Sequence, residues 1–240
     1  MKNTMKRFFV LLCAGIMVLA FTACGNSSTV ESDSKNEKDM SKSTNVQTES
    51  ASSLADNTAQ AEQTEGDSKM LVAYFSLAGE QYGVGVIEEG NTSVIAHMIA
   101  EQTGADLFEI KAVNPYPTSH SKLLEVSRKE MADKARPEIS ETVNNMDDYD
   151  TIFIGYPNWW GDMPMIVYHF LESYDLSGKT IVPFCTHGGS GLSNTESTIA
   201  NITRGTMKKG FAIAGTTAQN DRNTAKNNVT KWLKEEGFVE

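Results

Sequence analysis

The chain has 240 residues, with 31 Asp and Glu against 21 Lys and Arg, and its formal net charge is −10 at pH 7. Residues 69–240 alone carry 15 basic and 22 acidic residues, a balance that argues against a nucleic-acid-binding surface. Of the three cysteines only Cys185 lies in this part, which excludes an internal disulfide there, and the cysteine spacing fits no zinc motif. Residues 69–240 are long enough for one domain with a full core.

Residues 1–24 have the layout of a secretory signal peptide. Basic residues precede an apolar run over residues 8–21, which is too short for a comfortable membrane span. The stretch FTACG, residues 21–25, resembles a bacterial lipobox, in which the cysteine receives diacylglycerol and becomes the new N-terminus. We therefore predict lipidation of Cys24 and export to the bacterial cell envelope, with the lipid anchored in a membrane. Ordinary cleavage nearby, with Cys24 as a spare thiol, is the alternative.

Residues 25–68 are predicted to be a disordered polar tether. They hold nine Asp and Glu, three Lys and many Ser, Thr, Asn and Gln residues, but no aromatic residue and almost no large aliphatic one. Such a segment cannot bury enough apolar surface to offset the entropy lost on ordering. We expect it to be a solvated spacer between the lipid and the folded domain.

Five strands are predicted in residues 69–240. The first, residues 70–75, reads MLVAYF, and its continuous apolar character is typical of a strand buried on both faces. The other four predicted strands are residues 106–110, 150–156, 180–185 and 211–214.

Helices are predicted between and after these strands. Residues 92–103 place apolar side chains on one face and stop at Gly104, and a second helix over residues 119–135 ends before Pro137. Pro164 opens a third helix, because proline is tolerated in the first helical turn. The remaining two predicted helices are residues 192–202 and 221–236.

The alternation of five strands with helices predicts an α/β fold, namely a doubly wound five-stranded parallel sheet with helices on both faces. Ligands of such sheets bind at the carboxyl ends of the strands, at the point where the strand order reverses. The segments that follow the first, third and fourth strands are therefore the candidates for function.

The loop after the first strand, residues 76–92, offers a site for an anion. Ser76 and Thr92 supply hydroxyl groups, and Asn91 and Thr92 stand where a helix begins, with free amide groups and the positive end of the helix dipole. A phosphate is the most natural ligand, although ordinary helix capping beside a glycine-rich turn explains the same residues equally well. The loop lacks the third glycine of a dinucleotide-binding fingerprint.

The loop after the third strand contains two adjacent tryptophans in the stretch YPNWWGDMP, residues 156–164. Neighbouring side chains on an extended segment point in opposite directions, so one core cannot easily take both Trp159 and Trp160. One ring in the core and one at an interface or in solvent is the simplest explanation. The position of the pair at the carboxyl end of a strand favours stacking of one ring on a planar ligand.

The loop after the fourth strand reads CTHGGSGL, residues 185–192. Its three glycines would let the backbone approach a ligand closely and offer amide groups to it, unless the segment is only a mobile turn. A serine hydrolase with Ser190 as its nucleophile is a competing hypothesis. It is disfavoured because Leu192 stands where a nucleophile elbow has glycine, and because no base partner is evident.

Taken together, the segments YFSLAG…NT, GYPNWWGDMP and FCTHGGSGL resemble the flavodoxin family, and more closely the flavodoxin-like domains of bacterial lipoproteins. The resemblance extends over residues 69–240 and implies a flavodoxin-like fold that binds FMN non-covalently. In the family the first loop is continuous, whereas here residues 80–90 separate its two halves. The cofactor-binding residues that the resemblance implies are Ser76, Gly79, Gly90, Asn91, Thr92, Pro157, Asn158, Trp159, Trp160, Gly161, Thr186, His187, Gly188, Gly189, Ser190 and Gly191.

The resemblance also implies a role for each tryptophan. One should pack beside the isoalloxazine ring of FMN, and the other should anchor the loop or shield the ring. We favour Trp160 as the ring neighbour, because it adjoins Gly161, where the chain can pass close to a ligand.

The activity that the resemblance implies is electron transfer or flavin-dependent reduction, with a redox partner or small-molecule electron acceptor that the sequence does not identify. The flavin carries the chemistry, and the negative charge of the domain would favour a low potential. His187 would compensate the charge of a reduced, anionic ring if it were protonated, or would only form a hydrogen bond if neutral. A surface lipoprotein that kept the fold and lost the flavin is the alternative.

Overall fold

The structure, a computed structural model, describes residues 68–240. The predicted signal peptide with Cys24 and the predicted tether up to residue 67 lie outside the described residues, so both remain predictions. Within residues 68–240, no helix combines the length and the apolar character needed to cross a membrane.

The described residues form eight strands in two sheets. The strands, in chain order, are β1 (Met70–Tyr74), β2 (Gly79–Gln81), β3 (Gly85–Ile87), β4 (Asp106–Glu109), β5 (Thr151–Pro157), β6 (Thr180–His187), β7 (Thr206–Met207) and β8 (Phe211–Ala214).

Six α-helices occur in the same part of the chain, with a short 3₁₀ turn at Met146–Asp148. They are α1 (Asn91–Thr103), α2 (His120–Asp133), α3 (Met165–Glu172), α4 (Thr195–Thr203), α5 (Gly215–Asn220) and α6 (Arg222–Glu236).

Two features of the helices differ from the sequence prediction. Helix α4 begins at Thr195 rather than at residue 192, because Gly191 (φ 61°) and Ser193 (φ 54°) adopt the left-handed conformation and cannot belong to a right-handed helix. The short helix α5, which directly follows β8, was not predicted. The other predicted helices are present, with ends displaced by one or two residues, a normal uncertainty for helix boundaries.

The central sheet has the order β4-β1-β5-β6, with β7 and β8 at its far edge, and all its pairs are parallel. The predicted doubly wound parallel sheet is therefore confirmed. The chain leaves β1 towards β4 on one side and later returns to β5 on the other, so the strand order reverses between β1 and β5. A crevice at the carboxyl ends of these strands is the expected place for a ligand.

The edge of the sheet holds a second strand, β7, besides the predicted strand at residues 211–214, so the central sheet has six strands rather than five. β7 pairs with Thr180 and Ile181 of β6, whereas β8 pairs with the later part of the same strand, from Phe184 to His187. Pro183 lies between these two pairings and has no amide hydrogen to donate to a neighbouring strand. The break in the edge strand therefore coincides with a position where β6 cannot donate.

The side chains of the central strands alternate between two cores, one on each face of the sheet. From β1, Leu71 and Ala73 enter the core on the α3 and α4 side, whereas Val72 and Tyr74 enter the core on the α1, α5 and α6 side. Burial of each large apolar side chain contributes roughly 1.5–3 kcal/mol. The last helix contributes its apolar face to the second core, with Ala225, Val229, Trp232 and Leu233 all buried there.

Candidate functional site

A cleft of about 500 Å³ lies at the carboxyl ends of β1, β5 and β6. It is lined by the segments that follow these three strands, by the first half of α2 and by Gly215 at the start of α5. The three loops that were selected from the sequence thus meet at the predicted edge of the sheet.

The first turn of α1 provides free backbone amides at this cleft. Gly90 precedes the helix as its N-cap residue and has no side chain with which to cap it. The amide of Ser93 donates to Ser76 Oγ at 3.0 Å, whereas the amides of Asn91 and Thr92 have no hydrogen-bond partner within residues 68–240. Two free amides at the positive end of a helix dipole are suited to an anion such as phosphate.

The start of α1 is held so closely that glycine is required next to it. A Cβ atom on Gly90 would lie 2.2 Å from Ser76 Oγ and 2.5 Å from the carbonyl oxygen of Leu77. A Cβ atom on Gly215 would lie 2.5 Å from Asn91 Nδ2. These two glycines let three segments of backbone converge around the helix terminus.

Two buried polar atoms at the cleft lack a partner. Asn91 Oδ1 and His120 Nδ1 make no hydrogen bond among the described residues, and both side chains belong to the cleft lining. A buried polar atom without a partner typically costs about 1–3 kcal/mol, so such atoms call for a ligand or solvent partner. These two atoms would suit the polar edges of a ligand, whereas the free amides of α1 would suit its anionic end.

The floor of the site joins the first and third loops. Thr92 is 1% exposed, and its hydroxyl shares a hydrogen bond of 2.9 Å with that of Thr186, the next-to-last residue of β6. The hydroxyl of Thr92 is therefore engaged within the protein, and its amide is the group that remains available to an anion.

Asn158 joins the second and third loops. Its Nδ2 donates to the carbonyl oxygen of Gly191 at 2.8 Å, and its Oδ1 accepts from the amide of Gly161 at 3.0 Å. Within the second loop, Trp159 and Asp162 exchange backbone hydrogen bonds of 2.8 and 3.0 Å, which close a tight turn. Asn158 thus fixes the turn and sets its position relative to the glycine-rich loop.

Trp159 is the tryptophan that packs into the protein. Its ring makes edge-on contacts with Phe75 and Tyr116, with centroid separations of 5.6 and 5.7 Å. Edge-to-face arrangements of this kind stabilise aromatic clusters beyond the burial of their area. Trp159 therefore anchors the second loop to the core on the α3 side.

Trp160 is held in a defined position while part of it remains in solvent. Its backbone adopts a left-handed conformation (φ 59°), which turns its side chain away from that of Trp159. The indole Nε1 donates to Ser127 Oγ of α2 at 3.1 Å, and the Arg128 guanidinium lies 4.5 Å from the ring centroid. With 45% of its surface exposed, Trp160 forms a wall of the cleft.

The third loop is organised around His187. The amide of Gly189 donates to His187 Nδ1 at 2.9 Å, and burial lowers the pKa of His187 from its ordinary value. Both observations indicate a neutral imidazole at pH 7, whose Nδ1 is an acceptor. Of the two roles considered for His187, the geometry favours hydrogen bonding over charge compensation.

Cys185 supports the same loop from below. Its Sγ donates to the carbonyl oxygen of Gly191 at 3.2 Å, and burial raises the pKa of the thiol to about 12. The thiol is therefore protonated at neutral pH and acts as a structural donor.

The comparisons with known proteins agree with this architecture. A family model described as Flavodoxin matches residues 69–236. The chain belongs to the flavodoxin family. An inferred flavoprotein of solved structure from Bacteroides eggerthii DSM 20697 is 32% identical, with a TM-score of 0.56 over 70% of this chain and 98% of its own. One from Bacteroides uniformis ATCC 8492 is 34% identical, with a TM-score of 0.55 over the same shares.

A flavoprotein from Lactobacillus acidophilus NCFM, solved in complex with FMN, is 21% identical, with a TM-score of 0.48 over 65% of this chain and 99% of its own. No curated protein matches the chain.

In this flavodoxin-family domain, most of the residues predicted for cofactor binding meet at the cleft. Those in its lining are Asn91, Pro157, Asn158, Trp159, Trp160, Gly161, Thr186, His187, Gly188 and Ser190.

The other predicted residues lie outside the lining. Ser76 and Gly90 lie next to the start of α1, and Thr92 is its second residue; the hydroxyls of Ser76 and Thr92 hold the helix terminus through the contacts described above. Gly191 accepts hydrogen bonds from Asn158 and Cys185, and Gly189 donates to His187. Gly79 begins β2 and packs against Thr118, away from the cleft.

Sequence reasoning missed one group of lining residues. They come from the β2–β3 segment, from α2 and from α5, and they are Gln81, Tyr82, His120, Leu123, Leu124, Ser127 and Gly215. The position of α2 over the cleft depends on how it packs beside α3, which no local sequence signal reports. The aromatic residue in the middle of the glycine-rich insertion was the one available signal for Tyr82.

The geometry gives no support to a hydrolase. Within residues 68–240, no hydrogen bond joins the hydroxyl of Ser190 to a histidine, and His187 Nδ1 already accepts from Gly189. A nucleophilic serine needs a base within hydrogen-bond reach.

Proposed function

We propose that this flavodoxin-family domain binds FMN non-covalently in the cleft and acts in electron transfer or flavin-dependent reduction. The observation that supports this most strongly is the convergence of a free helix terminus and a positioned, half-exposed indole in one cleft. The helix terminus is suited to the phosphate, and the indole of Trp160 is suited to a planar ring. Family membership makes FMN the natural choice of ligand.

Different residues of the cleft would contact the phosphate end and the ring end of FMN. At the phosphate end, the amides of Asn91 and Thr92 and the side chain of Asn91 would donate hydrogen bonds. At the ring end, the second and third loops would border the isoalloxazine, with Trp160 on one wall. The neutral imidazole of His187 and the buried His120 Nδ1 add polar groups that would contact the ring edges.

The bound flavin would supply the redox chemistry, and the protein would set its potential and access. The described domain is acidic, and His187 is neutral at pH 7, so neither favours the addition of negative charge to the ring. A low potential is the expected consequence. The cleft is open to solvent at Trp160, which would allow a redox partner or a small-molecule acceptor to reach the ring.

We also propose that the protein works at the bacterial cell envelope, held by a lipid on Cys24. The proposal rests on the basic, apolar and small-residue layout of residues 1–24 and on the polar composition of residues 25–68.

The test is the absorbance spectrum of the purified protein, followed by titration of the flavin-free protein with FMN and with riboflavin. We expect a flavin spectrum, saturable binding of FMN, weaker binding of riboflavin and reversible reduction of the complex. A folded protein that binds neither ligand would favour the alternative, a lipoprotein that kept the fold and lost its flavin.

A further inference from the structure

The β2–β3 hairpin, residues 79–87, interrupts the first loop, and the flavodoxin resemblance assigns no function to it. Its two strands pair antiparallel, from Gly79 opposite Ile87 to Gln81 opposite Gly85. Two large side chains of the hairpin are exposed, Tyr82 at 70% and Val86 at 82%. Of these two, only Tyr82 lines the cleft.

The base of the hairpin is fixed to the start of α2. The amide of Glu80 donates to the carbonyl oxygen of Thr118 at 2.9 Å, and Glu80 Oε2 accepts from the amide of His120 at 3.0 Å. Gly79 adopts φ 94°, and a Cβ atom there would lie 2.8 Å from the same carbonyl oxygen of Thr118. These contacts fix the orientation of the hairpin relative to the start of α2.

The tip of the hairpin reaches the opposite side of the site. A Cβ atom on Gly188 would lie 2.9 Å from Cδ1 and 3.0 Å from Cε1 of Tyr82, so the tyrosine ring packs directly on the third loop. Gly83 lies beside Thr216 of α5, to which a Cβ atom would come within 3.3 Å. The hairpin therefore spans the cleft from α2 to the third loop and α5.

The hairpin places the ring of Tyr82 against the third loop, which has no Phe, Tyr or Trp residue of its own. Residues 187–191 contain one histidine and otherwise only glycine and serine, and Gly188 leaves room for the ring of Tyr82. Trp160 forms the wall on the side of the second loop. A planar ring between the second and third loops would have an indole on one side and the phenol ring of Tyr82 on the other.

We propose that Tyr82 contacts the flavin ring and that the β2–β3 hairpin is the element that positions it. The proposal rests on the proposed function, since it assigns a residue to the same cleft. The contacts of Tyr82 with Gly188 and with the ring of His120, whose centroid is 6.3 Å away, leave 70% of its surface exposed, although the base of the hairpin is fixed to α2. A ligand ring would cover that surface.

The test compares Tyr82→Ala with two controls in flavin-binding titrations of the full chain. Tyr82→Phe keeps the ring, and Val86→Ala truncates the other exposed side chain of the same hairpin, which does not line the cleft. Loss of an aromatic contact should weaken FMN binding about fivefold to tenfold in Tyr82→Ala. Riboflavin binding should weaken by the same factor, because the substitution leaves the phosphate-binding end of the cleft unchanged. The two controls should bind like the wild type.

Thermal unfolding of the flavin-free proteins provides a second readout. Tyr82→Ala should unfold at nearly the wild-type temperature, since the ring buries little surface in the protein itself. Wild-type affinity for both ligands in Tyr82→Ala, or an equal loss in Tyr82→Phe, would overturn the assignment of the ring. Failure of the wild-type protein to bind any flavin would overturn this inference together with the proposed function, and is therefore a distinguishable result.

Discussion

Trp159 and Trp160 show how two identical, adjacent residues acquire different surroundings. The left-handed backbone at Trp160 separates the two side chains, so that one enters an aromatic cluster with Phe75 and Tyr116 and the other lies against α2 at the cleft. A tryptophan at positive φ is uncommon, and here it directs an indole to the wall of the cleft. The sequence predicted that the two would differ, and the structure shows that they do; Trp160 as the neighbour of the flavin ring stays a prediction.

Truncation of each tryptophan should have a different effect. Trp160→Ala should weaken FMN binding about fivefold, since stacking is worth on the order of 1 kcal/mol beyond area burial. It should lower the free energy of unfolding by only about 1 kcal/mol, because the half-exposed indole loses one hydrogen bond to Ser127. Trp159→Ala should lower the free energy of unfolding by about 3 kcal/mol, because it leaves a cavity among aromatic rings. Flavin titration and chemical denaturation of both variants check this. Weaker FMN binding in Trp159→Ala together with lower stability in Trp160→Ala would contradict the roles given to the two tryptophans.

His187 gives the third loop a pH dependence whose sign can be derived. Burial lowers the pKa of His187 in the folded protein, so the unfolded chain binds more protons as the pH falls below about 6.5. Protonation would also remove the acceptor for the Gly189 amide. We expect the stability of the wild type to fall more than that of His187→Gln between about pH 7.5 and pH 5.5, as measured by denaturation at both values. Parallel pH dependence in the two proteins would argue against this role.

At the level of the elements, α1 is the helix proposed to hold the phosphate. Its first two amides lack partners, no acidic residue lies in its first turn, and Glu89 just before it pairs with Arg222 at 3.1 Å. The carboxylate of Glu89 also accepts from Ser93 Oγ in the first turn at 3.1 Å, so its charge is shared between Arg222 and the helix start, while the two amides stay free. This arrangement makes the terminus of α1 the natural place for the phosphate.

Asn91→Asp tests that assignment without removing the side chain. A carboxylate at the start of a helix interacts favourably with the positive end of the helix dipole, so the protein should remain folded. The same charge should repel a phosphate and weaken FMN binding by roughly fivefold or more, because two like charges about 4 Å apart repel by about 1 kcal/mol in water. Riboflavin, which has no phosphate, should bind Asn91→Asp and the wild type alike. Equal weakening of both ligands would place the phosphate elsewhere.

The elements also show what the sequence can and cannot predict. The apolar runs of β1, β5 and β6 and the apolar face of α6 were evident, because a buried parallel strand and an amphipathic helix have distinct patterns. The hairpin was missed because its three-residue strands are too short and too rich in glycine to show alternation. The division of the edge into β7 and β8 depends on pairing opposite Pro183, which is a tertiary relation.

The same contrast holds for the site. The three loops could be located, since parallel strands bring their carboxyl ends to one edge. The contributions of α2, α5 and Tyr82 could not, because they depend on the crossing of distant elements over that edge. The engagement of the Thr92 hydroxyl with Thr186 was also invisible in the sequence, which indicated only that the Thr92 hydroxyl was available to an anion.

We propose that the whole molecule is an acidic redox domain joined by a tether to a membrane lipid. A tether of about 40 residues with flexible-coil dimensions would let the domain move some tens of ångströms from a membrane surface. Such reach would allow contact with membrane-bound or diffusible redox partners.

Replacement of the lipid-accepting residue tests the anchoring proposal. Cys24→Ala should leave an uncleaved precursor or release the protein into the soluble fraction, because no diacylglycerol can be attached. Gel mobility and membrane fractionation of the two proteins measure this outcome. Unchanged size and membrane partition in Cys24→Ala would refute lipidation, and the flavin site would be unaffected by that result.

The most direct test of the central claim is a crystal structure of the protein with FMN. We predict that phosphate oxygens lie within hydrogen-bond distance, about 2.7–3.2 Å, of the amide nitrogens of Asn91 and Thr92. The isoalloxazine should contact the indole of Trp160, between the second and third loops. A flavin bound outside this cleft, or with its phosphate away from the start of α1, would contradict the account.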